Sequence, residues 1–352
     1  MTTTTTRTLD EDELYRRSTQ FRFWSFSPEQ LAAQRRKTHD LALARAQQYL
    51  GGQQNGGTTA GAEAAAATCL TEDEELRLVQ KYCDVLRVTG VHIQWQAHIY
   101  TTAIQYFKRF YLNNSCMTYP PKEIYKTVMF LASKTEATHI TLSKFSRSIS
   151  ADPEAVLAPE YKVMQALRFM LDVRQPYRGL KGALMELLNM AEGRKQLVER
   201  IQLAWQAAKN LLDVEALLTD VYFLYTPSQI LFAALHVADT PLLTYFLDAK
   251  LPLQLPTRPR ILAAIESCSV MLASYDPKSN ISKDERAALE KKLEGCRDPT
   301  TRDLVKAAAV AKRNGAEEGA IDDAKANKIK AERAKNDKDM DGLFGPSLGG
   351  PG

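Results

Sequence analysis

Cysteine is scarce, five residues in 352: Cys69, Cys83, Cys116, Cys268 and Cys296. An odd, scattered set excludes a disulfide framework and offers no CxxC metal site, so these read as ordinary buried or reduced thiols. Histidine is equally sparse. His39, His92, His98, His139 and His236 show neither HExxH nor paired spacing, which sets metal ligation aside. Long apolar runs are missing, and none approaches the roughly 18 residues that a membrane-crossing helix needs. The opening stretch, five threonines between Met1 and Arg7, has no apolar core of a secretory signal, so the expected compartment is the cytosol or nucleus. An excess of one charge is also missing. Lys plus Arg number 46 against 42 Asp plus Glu, a net +4, too weak a balance to demand nucleic acid, whose recognition shows a dense basic stripe.

Catalytic signatures are absent as well. No phosphate-binding glycine loop, GxSxG elbow, kinase signature or carboxylate cluster stands in a workable setting, and Asp322–Asp323 lies in a charged tail. Without a nucleophile-and-base constellation or a cofactor fingerprint, the expectation is a chain with no catalytic residue, metal or cofactor of its own.

What is present is helix. With 45% hydrophobic and 25% charged residues, the length suits about two domains with real cores, and strand signals are missing. Ser27-Pro-Glu-Gln30 opens a helix that runs to residue 50: Ser caps, Pro suits the first turn and Gln holds the capping-box position. Residues 1–50 are an N-terminal segment and helix. Residues 51–70, Gly-rich and then Ala-rich, carry too little apolar bulk to offset their ordering entropy and read as a flexible insert. A capping box from Thr71 to Glu74 begins a group of five helices over 71–175. Its central member, 94–112, places Ile99, Ala103, Tyr106, Phe107 and Phe110 at three-and-four spacing, a core stripe. Helices over 121–134, 142–149 and 159–171 complete the group. Patterns over 180–191, 194–218, 227–238, 241–249 and 259–275 make a second group of five, residues 176–281, in which Thr226-Pro-Ser-Gln229 repeats the cap-and-proline signature. Ser282 to Glu285 is another capping box, opening a C-terminal helix over 282–297. Residues 298–352, rich in Ala, Lys, Glu and Asp before a Gly-Pro end, read as a charged tail, disordered or a loose solvated helix. The expected fold class is all-α: two successive five-helix groups, each with a long central helix, and flanking N- and C-terminal helices.

Tyr106-Phe-Lys-Arg-Phe-Tyr-Leu-Asn-Asn114, then Phe130-Leu-Ala-Ser-Lys-Thr-Glu136, then Leu167-Arg-Phe169 resemble a cyclin box, in the family's order. More narrowly, Tyr106 to Ser115, Leu224-Tyr-Thr-Pro-Ser-Gln-Ile230 and Tyr15-Arg-Arg-Ser-Thr-Gln-Phe-Arg-Phe-Trp24 are similar to the cyclin H family, the cyclins of the CDK-activating kinase and of TFIIH. The likeness covers about residues 15–296, the insert apart, and ordered, separated motifs are more specific than one short pattern. The two helix groups are then two tandem cyclin boxes.

The resemblance implies a regulatory subunit that binds a cyclin-dependent kinase, draws its C-helix inward and holds its activation loop open. An active kinase needs its own Lys–Glu pair and Mg-binding Asp in place, and a partner that binds this arrangement better than the inactive one stabilises it. Further implied partners are the RING-finger assembly factor of the CDK-activating kinase and, through it, the TFIIH core. A nuclear location, and phosphorylation of the RNA polymerase II C-terminal repeats and of cell-cycle kinases, follow as expectations. Neither a membrane nor direct nucleic-acid contact is expected. The competing readings are another transcription-type cyclin and a cyclin-box scaffold without a kinase.

In the family, a lysine at the end of the third helix and a glutamate on the fifth bind the kinase; they match Lys134 and Glu160. Glu136, Met164, Phe169 and Leu171 join them as kinase-binding candidates. Glu160, Met164, Leu167 and Leu171 fall at spacings of three and four, so an acid and an apolar strip share one face. Phe169 matches a further family contact, and Glu136 follows the lysine, although Ala137 stands where the family has a second acid. The Met-Arg-Ala-Ile-Leu type motif by which cell-cycle cyclins recruit substrates is not reproduced by Leu76-Arg-Leu-Val-Gln-Lys81. The arginine-and-aromatic segment 15–26 reads as a contact with the two-box body or the kinase, since a base-stacking platform normally sits on a sheet.

Overall fold

The computed structural model describes residues 15–53, 69–138 and 140–310. Residues 54–68 of the expected insert, His139, the Met1–Arg7 stretch and Asp322–Asp323 with most of the expected tail lie outside the described residues. Among the described residues there is no strand. The N-terminal part supplies α1 (Thr19–Trp24) and α2 (Pro28–Gln53). The first group holds α3 (Glu72–His92), α4 (Ala97–Asn113), α5 (Pro121–Thr135), α6 (Leu142–Ser148), α7 (Pro153–Leu157) and α8 (Glu160–Ala166). The second holds α9 (Tyr177–Met190), α10 (Lys195–Asp213), α11 (Glu215–Leu218), α12 (Val221–Leu224), α13 (Pro227–Ala238), α14 (Thr240–Lys250) and α15 (Arg258–Ala273), and α16 (Lys283–Gly295) follows. All belong to one unit that ends at Arg302.

The helix starts are where the capping chemistry put them. Thr71 with Glu74, Thr226 with Gln229 and Ser282 with Glu285 each form a reciprocal capping box, and the Ser27 amide donates to Gln30 Oε1 at 2.9 Å while Ser27 Oγ accepts from the Gln30 amide. Each box satisfies two helix-terminal donors that would otherwise have no partner. The expected all-α pair of helix groups is what these elements assemble. In α4 every residue from Ile99 to Leu112 is buried, because α2, α3, α5 and α8 pack around it. In the second group α13 has the central place, with Ile230, Ala233 and Ala234 fully buried among α9, α10, α14 and α15.

Several expected boundaries shift. The central helix begins at Ala97, three residues late, because Gln94 adopts φ +58°. The Trp95 amide donates to Gly90 O at 2.9 Å and the Gln94 amide to Val91 O, a left-handed closure of α3. Gly90 permits the tight turn into α4: a Cβ there would lie 2.5 Å from Tyr100 Cβ. The helix expected over 159–171 ends at Ala166, since Arg168 and Phe169 turn left-handed at φ +54° and +56°; Leu171 is therefore not on it. The pattern over 194–218 breaks at Val214 (φ −128°, ψ −75°) into α10 and α11, and α7 and α12 were not foreseen.

Residues 298–302, which the sequence reading gave to the tail, are packed on the body. Asp298 and Thr301 are buried; the Asp298 amide donates to Met117 O at 3.0 Å and Thr301 Oγ1 donates to Thr118 O at 2.5 Å. Just before them, Arg297 Nη1 lies 2.8 Å from Glu123 Oε1. These bonds fasten the turn to the loop ahead of α5 and to that helix's first turn.

Candidate functional site

Two helix ends make the site. The inner face of α5, with Ile124, Val128 and Ala132 fully buried, lies on α4, and Thr127 Oγ1 donates to Val156 O at 2.7 Å, tying α5 to α7. On α8, Val163 and the Leu167 that closes it are fully buried. This packing sets the C-terminal end of α5 beside the N-terminal end of α8. Lys134, in the last turn of α5, donates from Nζ to Oε1 of Glu160, the first residue of α8. Each charge complements the helix end that bears it. Lys134 Nζ also sits 4.8 Å from the Phe130 ring centroid, one turn back. The pair is superficial, its side chains 42% and 21% exposed.

Of the other sequence candidates, Phe169 joins the pair at the surface and the rest are placed differently. Phe169 is 56% exposed and meets Tyr161, 59% exposed, edge to face at 6.4 Å. Tyr161 was missed by the sequence reading; its signal was an aromatic next to the motif glutamate. Met164 and Leu171 are half-buried against the core. The shared face expected of Glu160, Met164, Leu167 and Leu171 does not form, because Leu167 points wholly inward and Leu171 lies past the helix end. Leu171 is instead fixed through its carbonyl, which accepts from the Tyr106 hydroxyl at 2.6 Å. Glu136 accepts from Thr102 Oγ1 at 2.7 Å, Thr102 Oγ1 accepts from Gln175 Nε2 at 3.2 Å, and Gln175 Oε1 accepts from the Tyr222 hydroxyl at 2.9 Å. Glu136 thus begins a polar chain that crosses into the second group.

The C-terminal ends of α5 and of α8 are both closed by left-handed residues other than glycine. At α5, the Thr138 amide donates to Ser133 O at 2.8 Å around Ala137, φ +53°; at α8, the Phe169 amide donates to Met164 O at 2.9 Å around Arg168. An L-residue in this region costs about 1–2 kcal/mol, a cost that Gln94, Ser150 and Glu192 bear elsewhere in the described residues.

Segment 15–26 packs on the body. Trp24 is buried, with the Arg109 guanidinium 5.3 Å from its ring centroid, and the Phe26 amide donates to Phe223 O at 2.8 Å. Gln20 Oε1 accepts from Arg109 Nη2 at 3.1 Å and from the Arg174 amide at 2.7 Å, while Arg109 Nη1 donates to Asp172 O.

An exposed charge pair together with the exposed Tyr161–Phe169 ring pair suits protein docking: the rings supply area and the charges fix orientation. Among the described residues no group of three or more His, Cys, Asp and Glu is placed to hold a metal ion.

The family model for the cyclin N-terminal domain matches residues 68–172, and that for the cyclin C-terminal domain matches residues 175–273. Cyclin CCL1 of Saccharomyces cerevisiae is 34% identical over 248 residues, 69% of this chain and 63% of the yeast protein, so just under two thirds of that relative is spanned. Cyclin mcs2 of Schizosaccharomyces pombe is 32% identical over 290 residues, 81% of this chain and 86% of its own length. Among solved structures, a chain of the CAK complex of Chaetomium thermophilum bound to ATP-gamma-S superposes with a TM-score of 0.78 at 35% identity, covering 88% of this chain and 96% of that one. A chain of the yeast TFIIK (Kin28/Ccl1/Tfb3) complex gives 0.60 at 29% identity, covering 73% and 100%. With both cyclin domains matched in tandem and a relative aligned over most of both chains, the chain belongs to the cyclin family, in its cyclin H branch.

Proposed function

We propose that this cyclin is the regulatory subunit of a CDK-activating kinase, with no catalysis of its own, and that it docks its kinase through the Lys134–Glu160 face. The observation that carries the reading is that pair, bonded across two helix ends and flanked by exposed Tyr161 and Phe169. Bound to the kinase N-lobe beside its C-helix, the face stabilises the arrangement in which the kinase's Lys–Glu pair closes. Kinship with chains from a CAK complex bound to ATP-gamma-S and from a complex of Kin28, Ccl1 and Tfb3 supports a kinase and a third component as partners. On this reading the third component is the RING-finger assembly factor, the TFIIH core is reached through it, the complex is nuclear, and its substrates are the RNA polymerase II C-terminal repeats and cell-cycle kinases.

The test is co-purification with a cyclin-dependent kinase and assay of the complex. Activity is expected only in the complex, and Lys134→Ala or Glu160→Ala is expected to weaken binding by about 2–5 kcal/mol, as when one partner of a charge contact buried on association is removed. Wild-type binding and activation by both variants would place the kinase elsewhere.

A further inference from the structure

Away from the Lys134–Glu160 face, a cleft of about 460 Å³ opens where α2, α3 and α4 meet the α11–α12 corner and the end of α15. Its volume is that of small-molecule sites, which pair apolar walls with a few convergent polar groups. Leu31, Leu76, Val79, Phe223, Leu224 and Met271 give the apolar walls, and Leu76 is 37% exposed to the opening.

At one end of the cleft two cations, Arg35 and Lys108, meet around a single carboxylate, Asp220, while Glu72, Glu75 and Asp276 line the rest. Arg35 donates from Nη1 and Nη2 to the two carboxylate oxygens of Asp220 at 2.8 and 2.7 Å. Lys108, buried beside them, has Asp220 Oδ1 at 4.0 Å and donates to the carbonyls of Leu217 and Thr219. One carboxylate therefore serves two cations. His39 Nδ1 and Glu75 Oε1, 2.7 Å apart, balance each other when the imidazole is protonated. The remaining acids lining the cleft are engaged: Glu72 lies 3.8 Å from Arg36, and Asp276 caps the Lys278 amide at 2.9 Å. A buried cation whose only nearby counter-charge is shared favours a second anion.

We propose that this cleft binds a small amphipathic organic anion, a flat apolar body lying between α2 and α3 with its acidic group toward Arg35 and Lys108. The ligand would touch the N-terminal helix and both helix groups at once, so occupancy raises the melting temperature. This site does not depend on the kinase-docking reading, since the two share no residue.

The probes are 8-anilinonaphthalene-1-sulfonate and its uncharged counterpart N-phenyl-1-naphthylamine, titrated by fluorescence into the full chain. The sulfonate is expected to saturate at a single equivalent and raise the melting temperature, and the neutral amine to bind at least about tenfold more weakly. Val79→Trp, which fills the cleft, is expected to abolish saturable binding. Circular dichroism checks its fold, and Leu76→Trp, at a more exposed position, decides the matter if Val79→Trp does not fold. Absence of saturation by wild type, equal affinity for the neutral amine, or unchanged binding by the folded filled variant overturns the proposal.

Discussion

Lys134 and Glu160 are expected to matter little for stability. The pair lies at the surface, where an ion pair contributes about 0–1 kcal/mol to folding. Lys134→Ala is accordingly expected to leave the urea-unfolding midpoint nearly in place while kinase capture falls, and a large loss of stability would assign the lysine a structural task. Ala137 presents the opposite case. Held at φ +53°, it bears a backbone cost that glycine does not, so Ala137→Gly is expected to raise unfolding free energy by about 0.5–1 kcal/mol after glycine's own entropy; denaturant titration measures it. His39 makes stability depend on pH. Its hydrogen bond to Glu75 raises its pKa above the usual 6.5, aided by the charges of Glu75, Asp40 and Glu72 and opposed by burial. The stabilisation is full below about pH 6.5 and is lost as pH rises through the folded-state value. The difference in urea midpoint between wild type and His39→Gln should therefore narrow from about pH 6 to about pH 9; a constant difference would show that the proton is not what fastens α2 to α3.

Elements differed in how plainly the sequence announced them. The starts of α2, α3, α13 and α16 were legible because a capping box is a local arrangement of side chains four residues long. The ends of α3 and α8 were not, since a left-handed closure is usually marked by glycine or asparagine and here falls on Gln94 and Arg168. Helices of four or five residues such as α7, α11 and α12 are too short to show a period. In the candidate site, the ion pair joins two residues that the resemblance singled out, Lys134 through the Phe-Leu-Ala-Ser-Lys motif and Glu160 through its place on the fifth helix, whereas Leu171 was misassigned to a helix that ends early and Tyr161 was overlooked. The Arg35–Asp220–Lys108 cluster had no sequence signal at all, because its partners lie up to 185 residues apart. Burial alone would raise the Asp220 carboxyl, but the Arg35 hydrogen bond and the charges of Lys108 and Arg35 hold it below the usual carboxylate range. Asp220→Ala leaves two cations without a counter-charge, and is expected to cost about 3–5 kcal/mol in denaturant unfolding. Replacing all three residues by apolar ones of similar size should recover most of that loss.

For the whole molecule, composition and helix pattern predicted the class and the two successive groups, but not how far ordered packing extends beyond α16. Asp298 and Thr301 are seated on the Met117–Thr118 backbone, so truncation after Arg297 is expected to lower the melting temperature by several degrees. Thr301→Val, which removes one bond to a buried carbonyl, should cost about 1 kcal/mol, a drop of about 1–2 °C for a chain of this size. Calorimetry of the two variants checks both, and an unchanged transition would mean that the turn adds nothing.

Gln20 has a bearing on how a partner's touch is felt. Its side-chain oxygen is shared between a guanidinium inside the first box and a backbone amide at the threshold of the second, while the aromatic residues behind it lean on Phe223. A molecule that steers another by contact needs a frame that does not yield. Splinted in this way, the first box cannot shift against the segment that opens the second without giving up a bond to Gln20.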